Sequence, residues 1–149
     1  MSNSQLYEQD FYAWANEQAA LLRAGRLAEA DIEHIAEEIE SMGRSEKREL
    51  VSRLEILVSH LLKWQYQPTH RGTSWRLTIE EQRRRVSDHL ADNPSLQAKL
   101  PEALISAYAT AVLVAARETG LSRGSFPCAC PWSFEQMMAD EFFPGGEAG

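Results

Sequence analysis

The apolar residues of this chain recur every three or four positions, and this spacing predicts helices along most of its length. The first predicted helix covers residues 7–24 and ends at Gly25, and the second covers residues 29–42 and ends at Gly43, because a glycine commonly follows the last turn of a helix. In the second helix an apolar stripe lies opposite a carboxylate-rich face. This stripe consists of Ile32, Ile35, Ala36, Ile39 and Met42. We therefore expect two amphipathic helices in this part of the chain.

Three more main helices and one short helix complete the predicted fold. A row of leucines at 50, 54, 57 and 61 predicts a third helix between Gly43 and Pro68. The remaining helices are predicted at residues 74–92, at residues 102–119, where we expect substantial burial, and from the cap Ser133 through Asp140. No segment alternates as a strand does. The prediction is an all-α fold, a compact bundle of about five main helices plus a short C-terminal helix, with a single domain over residues 1–144 and a disordered tail over residues 145–149.

Five long segments of the chain resemble the bacterial domain of unknown function 29 family. They are DFYAWANEQAALLRAGR, IEHIAEEIESMGRSEKREL, HLLKWQYQP, SWRLTIEEQRRR and CPWSFEQMMADEFFP. The resemblance spans nearly the whole chain and implies a compact helical protein of about this length. It implies no activity, so it assigns no catalytic residue and no cofactor.

Charge divides the chain into three blocks, although its net charge is -7. Residues 1–43 contain nine acidic and two basic side chains. Residues 44–85 contain five acidic and ten basic side chains, and residues 86–149 contain eight acidic and three basic ones. A cationic block between anionic blocks can pair with them inside the fold, pair with them between subunits, or meet an external anion. Pairing inside the fold is the simplest of these interpretations.

The sequence gives no sign of secretion. Its first residues lack the basic and apolar regions of a signal peptide, and no apolar run approaches the roughly 18 residues of a membrane helix. Cys128 and Cys130 are too close in sequence for an unstrained disulfide. We therefore expect a cytoplasmic location and no membrane partner.

Residues 60–85 combine aromatic and cationic side chains, which is typical of interaction hot spots. The candidate interaction surface consists of Trp64, Tyr66, Arg71, Trp75, Arg76, Arg83 and Arg84. A simpler interpretation is that the rings close one end of the bundle and that the arginines pair with the acidic second helix. Weak nucleic-acid or anion binding is an alternative, but the pI of about 5.1 weighs against it.

The second and third predicted helices contain the candidate metal ligands. Asp31 and His34 are three residues apart and share a helix face, with Glu37 and Glu38 one turn further on. A metal-dependent bundle enzyme would repeat such a motif on another helix, and here the second copy is missing. His34 also lies off the apolar stripe, so a solvated surface histidine is the simpler interpretation. His60 lies at the edge of the apolar face and could pair with Glu37 or Glu38 of the preceding helix. Such a pair could serve acid/base chemistry, but the simpler interpretation is that it only satisfies buried polar groups.

Cys128 and Cys130 could also bind zinc or copper, yet zinc sites normally draw four ligands and no second pair exists. Ordinary loop packing is the simpler interpretation of both thiols.

No complete catalytic motif occurs in the sequence, which leaves enzymatic activity open and weighs against it. We predict a protein-protein interaction or regulatory module that binds a partner protein or another copy of itself. We predict no cofactor, and a divalent metal at His34, Glu37, Glu38 and His60 is the alternative.

Overall fold

The computed structural model describes residues 2–145, and the regular structure of this range is entirely helical. Its α-helices are joined by turns and short 3-10 segments. They are α1 (Asn3–Gln9), α2 (Phe11–Arg23), α3 (Ile32–Tyr66), α4 (Thr73–Asp92), α5 (Leu100–Thr119) and α6 (Phe134–Met138). The predicted all-α class and the short C-terminal helix are confirmed. Most of the tail predicted to be disordered, residues 146–149, lies outside the described residues.

Contacts divide the chain into two compact units, residues 1–45 and residues 46–149. The first unit contains α1, α2 and the beginning of α3, and the second contains the rest of α3 and the later helices. The single domain that we expect from the sequence stays a prediction.

The first predicted helix is two helices in the structure, because Asp10 has a non-helical backbone between α1 and α2. The Asp10 carboxylate accepts a hydrogen bond from the Ala13 backbone N–H at 3.1 Å and so caps α2. At the other end of α2, Gly25 has φ of 72°, and the Arg26 N–H bonds to the Leu21 carbonyl at 2.9 Å. The predicted glycine cap is therefore confirmed, and the helix boundary at Asp10 is a correction.

The predicted break at Gly43 is wrong, because α3 continues through this glycine. A glycine that caps a helix in this way has a left-handed backbone with positive φ, and Gly43 does not have a positive φ. The residues after Gly43 are good helix formers without proline, and Arg44 lies 3.9 Å from Glu40 in the preceding turn. The second and third predicted helices are therefore one helix.

Two clusters of buried side chains form the core of the second unit. The predicted leucine row at positions 50, 54, 57 and 61 is fully buried on α3. Ile79 and Val86 from α4 pack into these clusters, as do the alanines at 103, 107, 111 and 115 on α5. Because these alanines are small and lie one turn apart, the α5 backbone can approach its neighbours closely.

The substantial burial predicted for α5 holds for one face of the helix only. Its opposite face includes Ile105, which is 75% exposed, and Leu113, which is 48% exposed. Among the described residues, 94–119 form the one helical stretch long and apolar enough to cross a membrane by length and composition. A helix that is apolar on both faces passes such a test even when one face packs in a protein core.

Candidate functional site

An apolar stripe at the beginning of α3 is exposed in the structure. Ile32, Ile39 and Met42 are between 52% and 61% exposed. Ile35 is half-buried and Ala36 is exposed. Positions 32, 35, 39 and 42 follow the spacing of a two-heptad coiled-coil seam. We call Ile32, Ile35, Ala36, Ile39 and Met42 the α3 stripe.

The other side of this part of α3 is occupied by α1 and α2. Trp14 on α2 donates its indole N–H to an Asp31 carboxylate oxygen at 3.0 Å. Tyr7 on α1 donates its hydroxyl to Glu38 at 2.5 Å, and its ring stacks on His34 with centroids 4.0 Å apart. These contacts hold the polar face of α3 inside the first unit and leave the α3 stripe outside.

Asp31 and His34 share a helix face as their three-residue spacing predicts, and in the structure they form a hydrogen-bonded pair with His34 half-buried. His34 Nδ1 lies 2.8 Å from Asp31 Oδ2. Burial acts to raise the pKa of Asp31, but hydrogen bonds from His34 and Trp14 outweigh it and lower this pKa. The hydrogen bond to Asp31 raises the pKa of His34 against the effect of burial, and Glu37 and Glu8 add to the rise. The pair is therefore an ion pair whenever His34 is protonated.

The remaining carboxylates of this region have different surroundings. The hydrogen bond to Glu38, with help from burial, raises the pKa of Tyr7 to about 12, so Tyr7 stays a donor at neutral pH. Glu37 is exposed. Within residues 2–145 no three His, Cys, Asp or Glu side chains are grouped so that they could hold a metal ion. The prediction of no cofactor, with a divalent metal at His34, Glu37, Glu38 and His60 as its alternative, stays a prediction.

His60 does not have the surroundings that we predicted. Its Nδ1 donates to the Ile56 carbonyl at 2.8 Å, within α3. Burial lowers the pKa of His60 more than this hydrogen bond raises it, and the nearby Lys63 lowers it further. Because α3 is continuous, Glu37 and Glu38 precede His60 on the same helix rather than on a neighbouring one. The predicted pairing between two helices is therefore corrected.

The aromatic and cationic residues of 60–85 are partly buried rather than grouped on the surface. Trp64 is fully buried, and Arg83 is only 4% exposed. Arg83 donates hydrogen bonds to three backbone carbonyls, at 2.7 Å to Met137, 3.2 Å to Asp140 and 2.5 Å to Phe142. Arg83 thus stabilises the segment after α5, and neither Trp64 nor Arg83 lies on the surface.

Arg71 and Arg76 contact the same C-terminal segment. Arg71 donates to the Trp64 carbonyl at 2.6 Å and to the Pro144 carbonyl at 3.4 Å. The Arg76 guanidinium lies over the Phe143 ring at 4.3 Å from its centroid. The predicted pairing of arginines with the acidic second helix is therefore replaced, for Arg71 and Arg83, by hydrogen bonds to carbonyl oxygens near the end of the chain.

The other predicted surface residues are half-buried or exposed. The Tyr66 ring packs edge-on against Phe126, and Lys63 lies 5.1 Å from the centroid of the Trp75 ring. Arg84 is exposed and lines a surface cleft together with Arg85 and three acidic residues. These are Glu80, Glu81 and Asp88. The mixed charge of this cleft does not resemble a phosphate-binding surface.

Both cysteines are free thiols. Cys128 is exposed, whereas Cys130 is half-buried and its sulfur lies 3.5 Å from the Trp132 carbonyl. Burial raises the pKa of the Cys130 thiol, which makes it a weak nucleophile at neutral pH.

Residues 6–143 match the protein family described as Domain of unknown function DUF29. The chain belongs to this family. No curated protein and no solved structure has significant similarity to the chain. The match covers both the α3 stripe and the arginines that hold the C-terminal segment, so neither feature is an addition outside the DUF29 region.

Two further long-range polar contacts among residues 2–145 of this DUF29 chain were also not predicted. Lys63 is buried and pairs with Glu118 on α5 at 2.7 Å, and buried His89 donates from Nε2 to the Glu46 carbonyl at 2.8 Å. Both join residues more than 40 positions apart, so no local pattern indicates them. The charge of Lys63 within an apolar run was the only signal in the sequence.

Proposed function

We propose that this DUF29 protein is a protein-protein interaction module and that its α3 stripe binds a basic amphipathic helix of a partner protein. The observation that supports this most directly is the exposure of Ile32, Ile39 and Met42 at heptad spacing. Amphipathic helices normally bury such a seam, and an exposed one is typical of a surface that receives another helix.

The spacing of the α3 stripe favours a helical partner. Positions 32, 35, 39 and 42 correspond to alternating a and d positions, which pack side by side against the same positions of another helix. Ala36 at the edge of the seam is small, so a partner backbone can approach closely.

Charge favours a basic partner. Residues 1–43 have nine acidic and two basic side chains, and exposed Glu33 and Glu40 lie along one edge of the α3 stripe. One of the two arginines, Arg26, is paired with Glu29 at 2.5 Å. Two copies of so acidic a surface would repel each other, whereas lysines and arginines flanking a partner's apolar seam would be attracted.

The alternative functions have less support. A metal-dependent enzyme needs ligands that converge, and a nucleic-acid binder needs exposed cations that are not interleaved with carboxylates. Arg84, which is exposed, shares its cleft with acidic side chains. The cytoplasmic location also stays a prediction, in keeping with two unpaired thiols.

Binding of defined peptides tests the proposal. The probes are a labelled helical peptide of about three heptads, with leucine at a and d and lysine at the flanking positions, and the same peptide with glutamate in place of lysine. Fluorescence anisotropy with the full chain should show binding of the basic peptide and not of the acidic one. Equal binding of both peptides, or of neither, would contradict the proposal.

The variant Ile39→Glu separates docking from non-specific charge attraction. It should weaken binding of the basic peptide by about tenfold or more, because the peptide loses an apolar contact. If simple attraction between opposite charges caused the binding, Ile39→Glu would instead strengthen binding of the basic peptide, because the variant adds a negative charge. Leu77→Glu is the matched control, because Leu77 is an exposed apolar residue of α4 outside the α3 stripe. It should bind the basic peptide like the wild type.

A further inference from the structure

The outer face of α5 is an apolar surface that the proposed function does not use. The inner face packs its alanines into the core of the second unit, whereas the outer face presents Ile105 and Leu113, which are 75% and 48% exposed. Exposed Ala109 lies between them, one turn from each. A helix that is apolar on both sides normally has both sides covered. The outer face therefore indicates a contact that a single chain does not make.

A glutamate lies at one end of this face, beside Lys47 and Lys99, and an arginine lies at the other end. Glu102 lies seven residues before Ala109, and Arg117 lies eight residues after it. Both side chains are exposed, and Glu102 forms an ion pair with Lys47 at 2.6 Å. If the face met a copy of itself in antiparallel orientation, each Glu102 would lie near Arg117 of the other copy.

We propose that the outer face of α5 docks on the same face of a second copy of this chain. The two helices are antiparallel and related by a two-fold axis close to Ala109. Ile105 packs against Leu113 of the second copy, because both are four residues from Ala109. The small side chain of Ala109 lets the backbones approach at the axis. This contact is separate from the α3 stripe and does not depend on its function.

The size of the face sets the strength expected of the contact. A helix of 20 residues is about 30 Å long and about 10 Å wide, so one face covers much less than the roughly 800 Å² per partner of a standard stable interface. We therefore expect a reversible dimer whose population increases with concentration.

A membrane surface is a less suitable occupant of the same face. The inner face of α5 is part of the protein core, so only the outer face could meet lipid. Residues 86–149 contain eight acidic and three basic side chains, which opposes binding to an anionic bilayer. The argument for a second copy is instead the local pairing of Glu102 with Arg117 that an antiparallel arrangement allows.

Sedimentation equilibrium of the full chain over a concentration series tests the proposal. The wild type should show a monomer and dimer in equilibrium, and Ala109→Glu should raise the dimer dissociation constant by about tenfold or more, because it places two like charges at the axis. Ala91→Glu is the matched control, since Ala91 is an exposed alanine on α4, and it should dimerise like the wild type. A wild type that stays monomeric throughout, or a dimer that Ala109→Glu leaves unchanged, would overturn the proposal.

Charge exchange tests the antiparallel orientation even if Ala109→Glu perturbs the fold. Arg117→Glu should weaken the dimer, because Glu102 would then face a glutamate, and Glu102→Arg combined with Arg117→Glu should restore it. A double variant that dimerises no better than Arg117→Glu alone would overturn the antiparallel arrangement. Wild-type protein that is monomeric but sediments with vesicles of mixed zwitterionic and anionic lipid, and loses this in Ala109→Glu, would overturn the proposal in favour of a membrane surface.

Discussion

Arg83 on α4 and Met137 on α6 are joined by a buried hydrogen bond, in which Arg83 Nε donates to the Met137 carbonyl at 2.7 Å. The same guanidinium also donates to the carbonyls of Asp140 and Phe142. Burial lowers the pKa of Arg83, but a guanidinium remains protonated at any ordinary pH. One buried cation therefore stabilises the backbone of a segment that has little regular structure of its own.

Replacing Arg83 should destabilise the second unit strongly. Arg83→Met removes all three donors and leaves their carbonyl partners without hydrogen bonds, so we expect a loss of about 2–4 kcal/mol in the free energy of unfolding. Urea denaturation followed by circular dichroism measures it. Arg84→Met is the control, because Arg84 is the exposed neighbour of Arg83, and it should change stability by no more than about 0.5 kcal/mol. Similar losses in both variants would contradict the structural role of Arg83.

Phe143 should be needed for the same segment to pack. Its ring is buried, lies 4.9 Å from the Trp64 ring and contacts the Arg76 guanidinium. Phe143→Ala should lower the free energy of unfolding by about 3 kcal/mol or more, because it leaves a cavity in the core. Phe142→Ala is the control, since Phe142 is only half-buried, and it should cost less in the same denaturation experiment. Equal losses would show that the cavity around Phe143 is not decisive.

The Asp31 and His34 pair should give the first unit a defined dependence on pH. Since the folded-state pKa of His34 is raised, its contribution is complete below the unfolded value of about 6.5 and is lost as pH rises through the folded value. Since the pKa of Asp31 is lowered, its contribution is present above about 3.9 and is lost as pH falls through the folded value. The pair should therefore stabilise the first unit most at pH values between about 3.9 and about 6.5.

The measurement for this pair is the difference in stability between the wild type and His34→Gln. Thermal melting of both proteins at several pH values between about 5 and 8 gives this difference. The subtraction is necessary because the lowered pKa of His60 contributes with the opposite sign, and its stabilisation is lost as pH falls. The advantage of the wild type should shrink as pH rises above about 6.5. An advantage that is constant over this range would exclude a role for His34 protonation.

The sequence predicts the helices of the core well because residues spaced three and four apart lie on one face of a helix. Leu50 and Leu57 on α3 are buried as their spacing indicates. Gly120 has φ of 78° and caps α5, and Ser133 accepts the predicted capping hydrogen bond from Gln136 at 3.1 Å. These features depend on residues within one or two turns, which a sequence pattern contains.

The surroundings of Arg83 and the exposure of the α3 stripe could not be predicted in the same way. Arg83 meets carbonyl groups more than 50 residues later in the chain, and backbone acceptors have no residue type that a pattern could show. The periodicity of the α3 stripe identifies an apolar face but not whether another element covers it. Long-range packing decides both.

Gly43 tests the continuity of α3, which the sequence did not indicate. Its backbone is helical, and an added Cβ would meet no other atom within 4 Å. Gly43→Ala should therefore stabilise the protein by about 0.5–1 kcal/mol, because alanine loses less backbone entropy in a helix than glycine does. Gly120→Ala provides the contrast. Gly120 also has free space around it, but its φ is 78°, so the variant should destabilise the protein by about 1 kcal/mol. Chemical denaturation of the two variants measures both effects. If Gly43→Ala destabilised as much as Gly120→Ala, Gly43 would be a left-handed cap and α3 would consist of two helices after all.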